Sequence, residues 1–171
     1  MTFTAQRILI LGNSGAGKTT LARRLATRTG LPLIHLDQHY WQPGWRQLSE
    51  PKWREKVTQL IASPQWIMDG NYSGTWNLKL PAADLVIYLD YNRWRVTAQM
   101  LWRYLRYRGQ NRPDVATGCP EPWSCEFFEY VWYYHERKRP GQVERLQTEE
   151  AGEKLLIFST PREAHRWLVN L

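Results

Sequence analysis

The chain has 171 residues, 43% of them hydrophobic and 23% charged, and a formal net charge of +7. That length predicts one domain spanning 1–171 with enough chain to bury a core, and no apolar run approaches the roughly 20 residues needed to cross a bilayer. The only cysteines, Cys119 and Cys125, exclude a disulfide framework, and residues 1–6 lack a charged-then-apolar leader, so a cytoplasmic protein without a membrane partner is expected.

Ile8 to Leu11 reads as a buried strand. It feeds Gly12-Asn13-Ser14-Gly15-Ala16-Gly17-Lys18-Thr19-Thr20, and a helical pattern follows at Leu21, Ala22, Leu25 and Ala26. Gly-x-x-x-x-Gly-Lys-Thr between a strand and a helix is the phosphate-binding P-loop. Glycines let backbone N–H groups turn inward on phosphate oxygens, and the helix start adds a positive dipole end. Lys18 is placed to reach the β- and γ-phosphates, and the Thr19 hydroxyl to hold Mg²⁺.

Gly30 and Pro32 stop the first helix. Leu33 to Leu36 is a second strand ending at Asp37, and residues 38–48 read as a loop dense in aromatics. His39, Tyr40, Trp41 and Trp45 either line an acceptor pocket or form the core of a small subdomain. Ser49 and Pro51 open a helix with Trp53, Val57, Leu60 and Ile61 on one face. Trp66 to Met68 is a third strand ending in Asp69-Gly70-Asn71-Tyr72. After a short segment at 76–80, Leu85 to Leu89 is a fourth strand ending at Asp90. Asp90 is expected to order the turn into the next helix.

In that helix Trp94, Ala98, Leu101 and Leu105 recur at helical spacing and predict the inward stripe, with Arg103 and Arg106 off it. Residues 109–123, rich in Gly and Pro, read as a loop or flap. Ser124 caps a helix carrying Phe127, Phe128, Val131, Trp132 and Tyr134, aromatics that read as core rather than a stacking platform. A polar helix is expected to about Ala151, then a fifth strand, Leu155 to Phe158. Thr160-Pro161-Arg162-Glu163 is a capping box that opens the last helix. The spacing of Cys119, Cys125 and His135 is poor for zinc, and Cys119 is read as a packed turn residue.

Five short apolar strands, each followed by helix, predict an α/β domain with a parallel sheet. In such sheets the ligand sits beyond the carboxyl ends of the strands. The P-loop, Asp37, Asp69, Asp90 and Ser159-Thr160 all fall there. Asp37 and Asp69 are therefore candidate site carboxylates, the alternatives being an Asx-turn residue and a turn cap. Arg supplies 17 of the 23 basic residues, which suits bidentate contact with phosphate. At least one of Arg103, Arg106, Arg112, Arg137 and Arg139 is expected to meet the charge that spreads over a transferring phosphoryl group. The same basicity would suit nucleic acid, but no recognisable reader module accompanies it.

These stretches resemble the P-loop small-molecule kinases related to adenylate kinase, and within them the DNA topology modulation protein (FlaR-type) group. The resemblance rests on Gly12 to Thr19, Leu36 to Trp41 with Pro43-Gly44-Trp45, Trp66 to Tyr72, Ala83-Asp84 with Leu89-Asp90, Arg112-Pro113-Asp114 and Gly118 to Glu121. It implies a three-layer α/β/α P-loop fold with a five-stranded parallel sheet of order 2-3-1-4-5. It implies an acceptor-side insertion at about 37–64 and a mobile helical lid at about 103–140. The implied activity is phosphoryl transfer from ATP with Mg²⁺ to a small molecule, nucleotide-like or a polar metabolite. Asp69 then falls near Mg²⁺, Asp37 near the acceptor hydroxyl, Arg103 and Arg106 on the lid helix, and Arg137 and Arg139 as further lid arginines. Adenine would lie between the Arg103 helix and the Ser159–Pro161 loop. Where adenylate kinase has Phe-Pro-Arg this chain has Asn71-Tyr72-Ser73, which puts AMP in doubt as acceptor. The group's name also implies an alternative, a nucleotide-dependent, DNA-associated regulator or ATPase affecting DNA topology. The sequence identifies neither the acceptor nor the oligomeric state.

Overall fold

The computed structural model describes residues 4–147 and 151–171. Its centre is β1 (Arg7–Gly12), in which Ile8, Leu9, Ile10 and Leu11 are all fully buried. A strand apolar on both faces needs cover on both sides, and that sets a three-layer build. β1 pairs in parallel with β5 (Trp66–Asp69) and β6 (Leu85–Leu89). β2 (Leu33–His35) and β7 (Leu155–Phe158) extend the sheet outward, giving the order β2-β5-β1-β6-β7. The intervening β3 (Trp41–Gln42) and β4 (Arg46–Gln47) form a separate antiparallel hairpin. With that pair set aside, the sheet has the expected order 2-3-1-4-5.

One core lies where Ile8 and Ile10 meet Leu21 and Leu25 of α1 (Lys18–Thr29), Val96 and Met100 of α5 (Arg93–Tyr107), and Ala164 and Leu168 of α9 (Pro161–Val169). The other lies where Leu9 and Leu11 meet Trp53 and Val57 of α3 (Glu50–Ile61) and Trp76 and Leu80 of α4 (Trp76–Ala82). The caps behave as their sequences require. Ser124 accepts the Phe127 N–H at the start of α6 (Cys125–Trp132). Thr160 accepts the Glu163 N–H at 3.3 Å while Glu163 reaches back to the Ser159 N–H at 2.9 Å. In α6, Val131 is fully buried and Phe127 and Phe128 pack half-buried on the first cluster, while Tyr130 is exposed.

Three local expectations are corrected. Residues 36–40 form a short helix, α2 (Leu36–Tyr40), rather than a strand end and loop, so Asp37 sits in a helical first turn. The inward face of α5 is Val96, Thr97 and Met100, while Trp94 and Leu105 are 67% and 72% exposed. The reason is contact with the P-loop: a Cβ on Gly15 would come within 2.6 Å of the Val96 carbonyl oxygen and 3.3 Å of Met100 Cβ. The third concerns the polar segment, which breaks into α7 (Tyr134–Arg137) and α8 (Arg139–Arg145). Its expected continuation through 148–150 lies outside the described residues. Among the described residues, no helix is long and apolar enough to cross a membrane.

Lys79 of α4 is fully buried, and its ammonium donates to the Asn71 carbonyl at 2.8 Å. Burial pushes this lysine down to about 7. The unfolded chain therefore binds the extra proton between about pH 7 and the ordinary lysine value of 10.5, and stability rises with pH across that window. The full effect is at most about 5 kcal/mol. Urea unfolding of the Lys79→Met variant is expected to show that rise abolished, with greater stability than the parent at pH 7 and below.

Candidate functional site

The P-loop hangs from the C-terminal end of β1. Its glycines have left-handed backbone: φ is 137° at Gly12, 91° at Gly15 and 86° at Gly17. At Gly12 a Cβ would lie 2.6 Å from the Leu89 carbonyl oxygen, so packing as well as conformation excludes a side chain. Two asparagines pin the loop. Asn71, on the turn after β5, accepts the Gly12 N–H at 2.9 Å through its side-chain oxygen. Asn13, almost fully buried, donates from its side chain to the Val131 carbonyl of α6 at 2.9 Å. The side chains of Asn71 and Asn13 thus clamp the loop from the turn after β5 and from α6.

Lys18 Nζ donates to the carbonyls of Gly12 and Asn13, each at 3.0 Å. Burial pushes its ammonium down, and Asp69 and Asp37 push it partly back. Both carboxylates line the same cleft as Ser14, Lys18, Thr19 and Thr20, a cavity of about 190 Å³. Asp69 ends β5 and is 6% exposed. One of its oxygens lies 3.1 Å from His35 Nδ1. Parallel register sets this pair, since His35 of β2 stands opposite Asp69. Asp37 accepts the Tyr72 phenol at 2.5 Å. Burial raises Asp37 above the usual carboxylate range, while the Tyr72 hydrogen bond, Arg112 and Lys18 draw it back. Tyr72 is held for this at a left-handed φ of 39°, a conformation that L side chains rarely adopt.

The remaining wall is a chain of ions. Arg103 of α5 donates to Glu121 at 3.2 Å. Arg112 donates to Asp114 at 2.9 Å, and its Nε lies 2.6 Å from the second Glu121 oxygen as an ion contact without hydrogen-bond alignment. Asp114 in turn lies 3.8 Å from Arg23 of α1. Arg103, Arg112, Arg23 and Asp114 all line the cleft. The three other arginines expected here do not. Arg106 is exposed, its guanidinium packed over the rings of Trp102 and Tyr107. Arg137 is exposed and pairs with Glu129 at 2.9 Å. Arg139 grips Asp90 through two 2.6 Å bonds, and Asn92, not Asp90, caps α5. The aromatics at 40–45 pack on one another, with Tyr40 centroids 5.0 Å from Trp41 and 4.6 Å from Tyr72, so they form a subdomain core.

A second cavity of about 200 Å³ continues from Gly17, Thr20 and Gln99 toward Arg95 of α5 and Pro161, Ala164 and His165 of α9. Gly17, Thr20 and Gln99 border both cavities. The oxygen donors Thr19 and Asp69 fit a hard cation such as Mg²⁺, which takes few protein ligands and completes its shell with water and phosphate. Among the described residues, no cluster of three or more His, Cys, Asp or Glu could hold a metal on its own. His35 and Asn71 were not legible as functional in the sequence; the first needs strand register, the second the path of the turn after β5.

No protein-family model matches the chain, and no functionally curated protein matches its sequence. Solved structures do match. A shikimate kinase from Acinetobacter baumannii, in complex with shikimate, superposes with a TM-score of 0.57 at 20% identity, covering 98% of this chain and 90% of that one. A gluconokinase from Sinorhizobium meliloti gives 0.52 at 15% identity, covering 96% and 92%. A sugar kinase from Janibacter also gives 0.52 at 15%, covering 97% and 94%. Likeness at these identities shows the fold, the three-layer α/β/α P-loop kinase arrangement.

Proposed function

We propose that this protein is an ATP- and Mg²⁺-dependent kinase of a small hydroxyl-bearing molecule. The observation that carries the reading is one cleft with P-loop Lys18, Thr19 and Asp69 on one side and Asp37, Arg103 and Arg112 on the other. The β- and γ-phosphates lie against the Gly12–Thr20 loop, and the adenine occupies the adjoining cavity beside Arg95 and Pro161. Thr19 and Asp69 hold the metal, His35 fixing one Asp69 oxygen. Mg²⁺ bound there offsets the negative charge of the β- and γ-phosphates.

Asp37 accepts the proton of the acceptor hydroxyl as its oxygen bonds to the γ-phosphorus. The bond from that phosphorus to the bridging oxygen breaks, and its electron pair leaves on ADP. Lys18, Arg103 and Arg112 face the charge spread over the transferring oxygens. The conserved atoms are all accounted for: acceptor phosphate ester, ADP and one proton. The segment at 103–140 acts as the lid over this cleft, and 37–64 as its acceptor side. We take the stretches that resemble the FlaR-type group as a reason to place this chain with it among the P-loop kinases. The DNA-associated alternative draws on the net charge of +7 and on that group's name. A coupled assay for ADP, run with an acceptor panel and separately with duplex DNA, tests the choice. Acceptor-dependent ADP formation unaffected by DNA is expected; ATP hydrolysis stimulated by DNA and by no acceptor overturns the reading.

A further inference from the structure

The kinase reading leaves the acceptor open between a nucleotide-like molecule and a compact polar metabolite. The walls of the acceptor side bear on that choice. The hairpin of β3 and β4 is tied directly to the lid loop. Gly44 donates its N–H to the Gly118 carbonyl at 2.8 Å, and Trp45 Nε1 donates to the Pro120 carbonyl at 2.8 Å. Gln38 donates to the Pro113 carbonyl at 2.7 Å, and the Cys119 thiol donates to the Gln42 carbonyl at 3.2 Å. Packing between the two is close, since a Cβ on Gly118 would lie 3.0 Å from Pro43 Cβ. Hairpin and lid loop therefore meet without a gap for a planar base.

Nor, among the described residues, is there an aromatic face on that side for a base to stack on. Tyr40, Trp41, Trp45 and Trp53 satisfy one another and do not border the cleft. Tyr72 is packed between Tyr40 and Trp53, and its phenol is spent on Asp37. The two rings that do border the cleft, Trp102 and Tyr107, come from α5 and carry the Arg106 guanidinium over them. The cleft is also small. Its roughly 190 Å³ must hold the γ-phosphoryl group as well as the acceptor, whereas pockets that enclose a drug-sized ligand run to about 300–1,000 Å³.

What remains for an acceptor is a short, wet space lined by charge. Asp37 accepts a hydroxyl proton, and Arg103 keeps both terminal nitrogens without a hydrogen-bond partner among the described residues. Such a surface suits a molecule with several hydroxyl groups and no flat apolar ring. Resting on the kinase reading, we infer that the acceptor is a compact polyhydroxylated metabolite, of sugar, sugar-acid or hydroxy-acid size, and not a nucleoside or nucleotide. The chemistry is the same transfer: the acceptor O–P bond forms, the terminal phosphoanhydride bond breaks, and the hydroxyl proton passes to Asp37.

Calorimetric titration of the full chain separates the two levels of the claim. ADP with Mg²⁺ is titrated first, into the parent and the Lys18→Ala variant. Binding that depends on Lys18 is expected; no binding, or binding indifferent to Lys18, takes down the kinase reading itself. Adenosine, thymidine and their monophosphates are then titrated into the protein saturated with ADP and Mg²⁺. No saturable heat at millimolar concentrations is expected, and saturable binding of any of the four overturns the acceptor class while leaving the kinase reading intact. In the ATP assay, neutral hexoses and polyols form one arm and sugar acids and hydroxy acids the other. At least about a tenfold rise in ADP formation, roughly 1.4 kcal/mol of barrier, is expected in one arm. A comparable rise with a nucleoside or nucleoside monophosphate overturns the inference.

Discussion

Replacing Lys18 by alanine is expected to lower phosphoryl transfer by at least about 10²–10³-fold, the loss of one preorganised charge aimed at the transferring group. Fold stability should move by no more than about 1 kcal/mol. The ammonium is satisfied by two carbonyls of its own loop, at 3.0 Å each, but it sits there against the cost of burial. Losing it frees two carbonyls and removes one desolvated charge, effects of opposite sign. The loop itself is held by other means, Asn71 on Gly12 and Asn13 on Val131. Thermal unfolding and single-turnover kinetics on the same preparation check both halves. A folded variant with unchanged turnover would remove the P-loop from the chemistry.

The second large effect belongs to Asp37. Asp37→Asn is expected to cut acceptor-dependent turnover about 10²–10⁴-fold, the usual contribution of a positioned base, while ADP binding is kept. The asparagine is nearly the same size and still accepts the Tyr72 phenol, so packing survives. A conservative companion, Tyr72→Phe, makes the argument specific to protons. Removing the phenol takes away a hydrogen bond that lowers Asp37. The carboxyl then titrates higher, and since the base must be deprotonated, the acidic limb of kcat/KM moves to higher pH. A pH profile unmoved by Tyr72→Phe, or normal turnover in Asp37→Asn, would assign both residues to structure alone.

Those two residues show where sequence is informative and where it stops. The P-loop is legible because its spacing is local: glycines, lysine and threonine lie within eight positions and need no tertiary partner. The inner strands are legible because both their faces are buried, so Ile8 to Leu11 is apolar throughout. Once the strands are placed, their carboxyl ends find Asp37 and Asp69, and Arg103 follows one helix later. The ion chain is less legible. Five arginines have similar surroundings in sequence, and only contacts separate Arg112, held by Asp114 and Glu121, from Arg137, paired with Glu129 in the open.

The α5 helix shows a second limit. It carries two apolar patterns, and the longer, Trp94 with Ala98, Leu101 and Leu105, is mostly outward. Val96 and Met100 win the interior because Gly15 brings the P-loop against them. The same rotation carries Arg103, seven residues after Val96, toward the cleft and leaves Arg106 outside. A periodicity count weighs side chains alone and holds no record of a backbone that approaches within contact. His35 is invisible for a related reason, since its role exists only through its register with Asp69.

The fate of the γ-phosphoryl group is the most direct test of the central claim. Phosphorus NMR of ATP and Mg²⁺ turned over by the parent protein, with a mixture of polyols and hydroxy acids, follows it atom by atom. The account predicts that the γ signal is replaced by ADP together with a phosphomonoester resonance, and that both are absent with Lys18→Ala. ADP accompanied only by inorganic phosphate, at a rate indifferent to the acceptors, would contradict it.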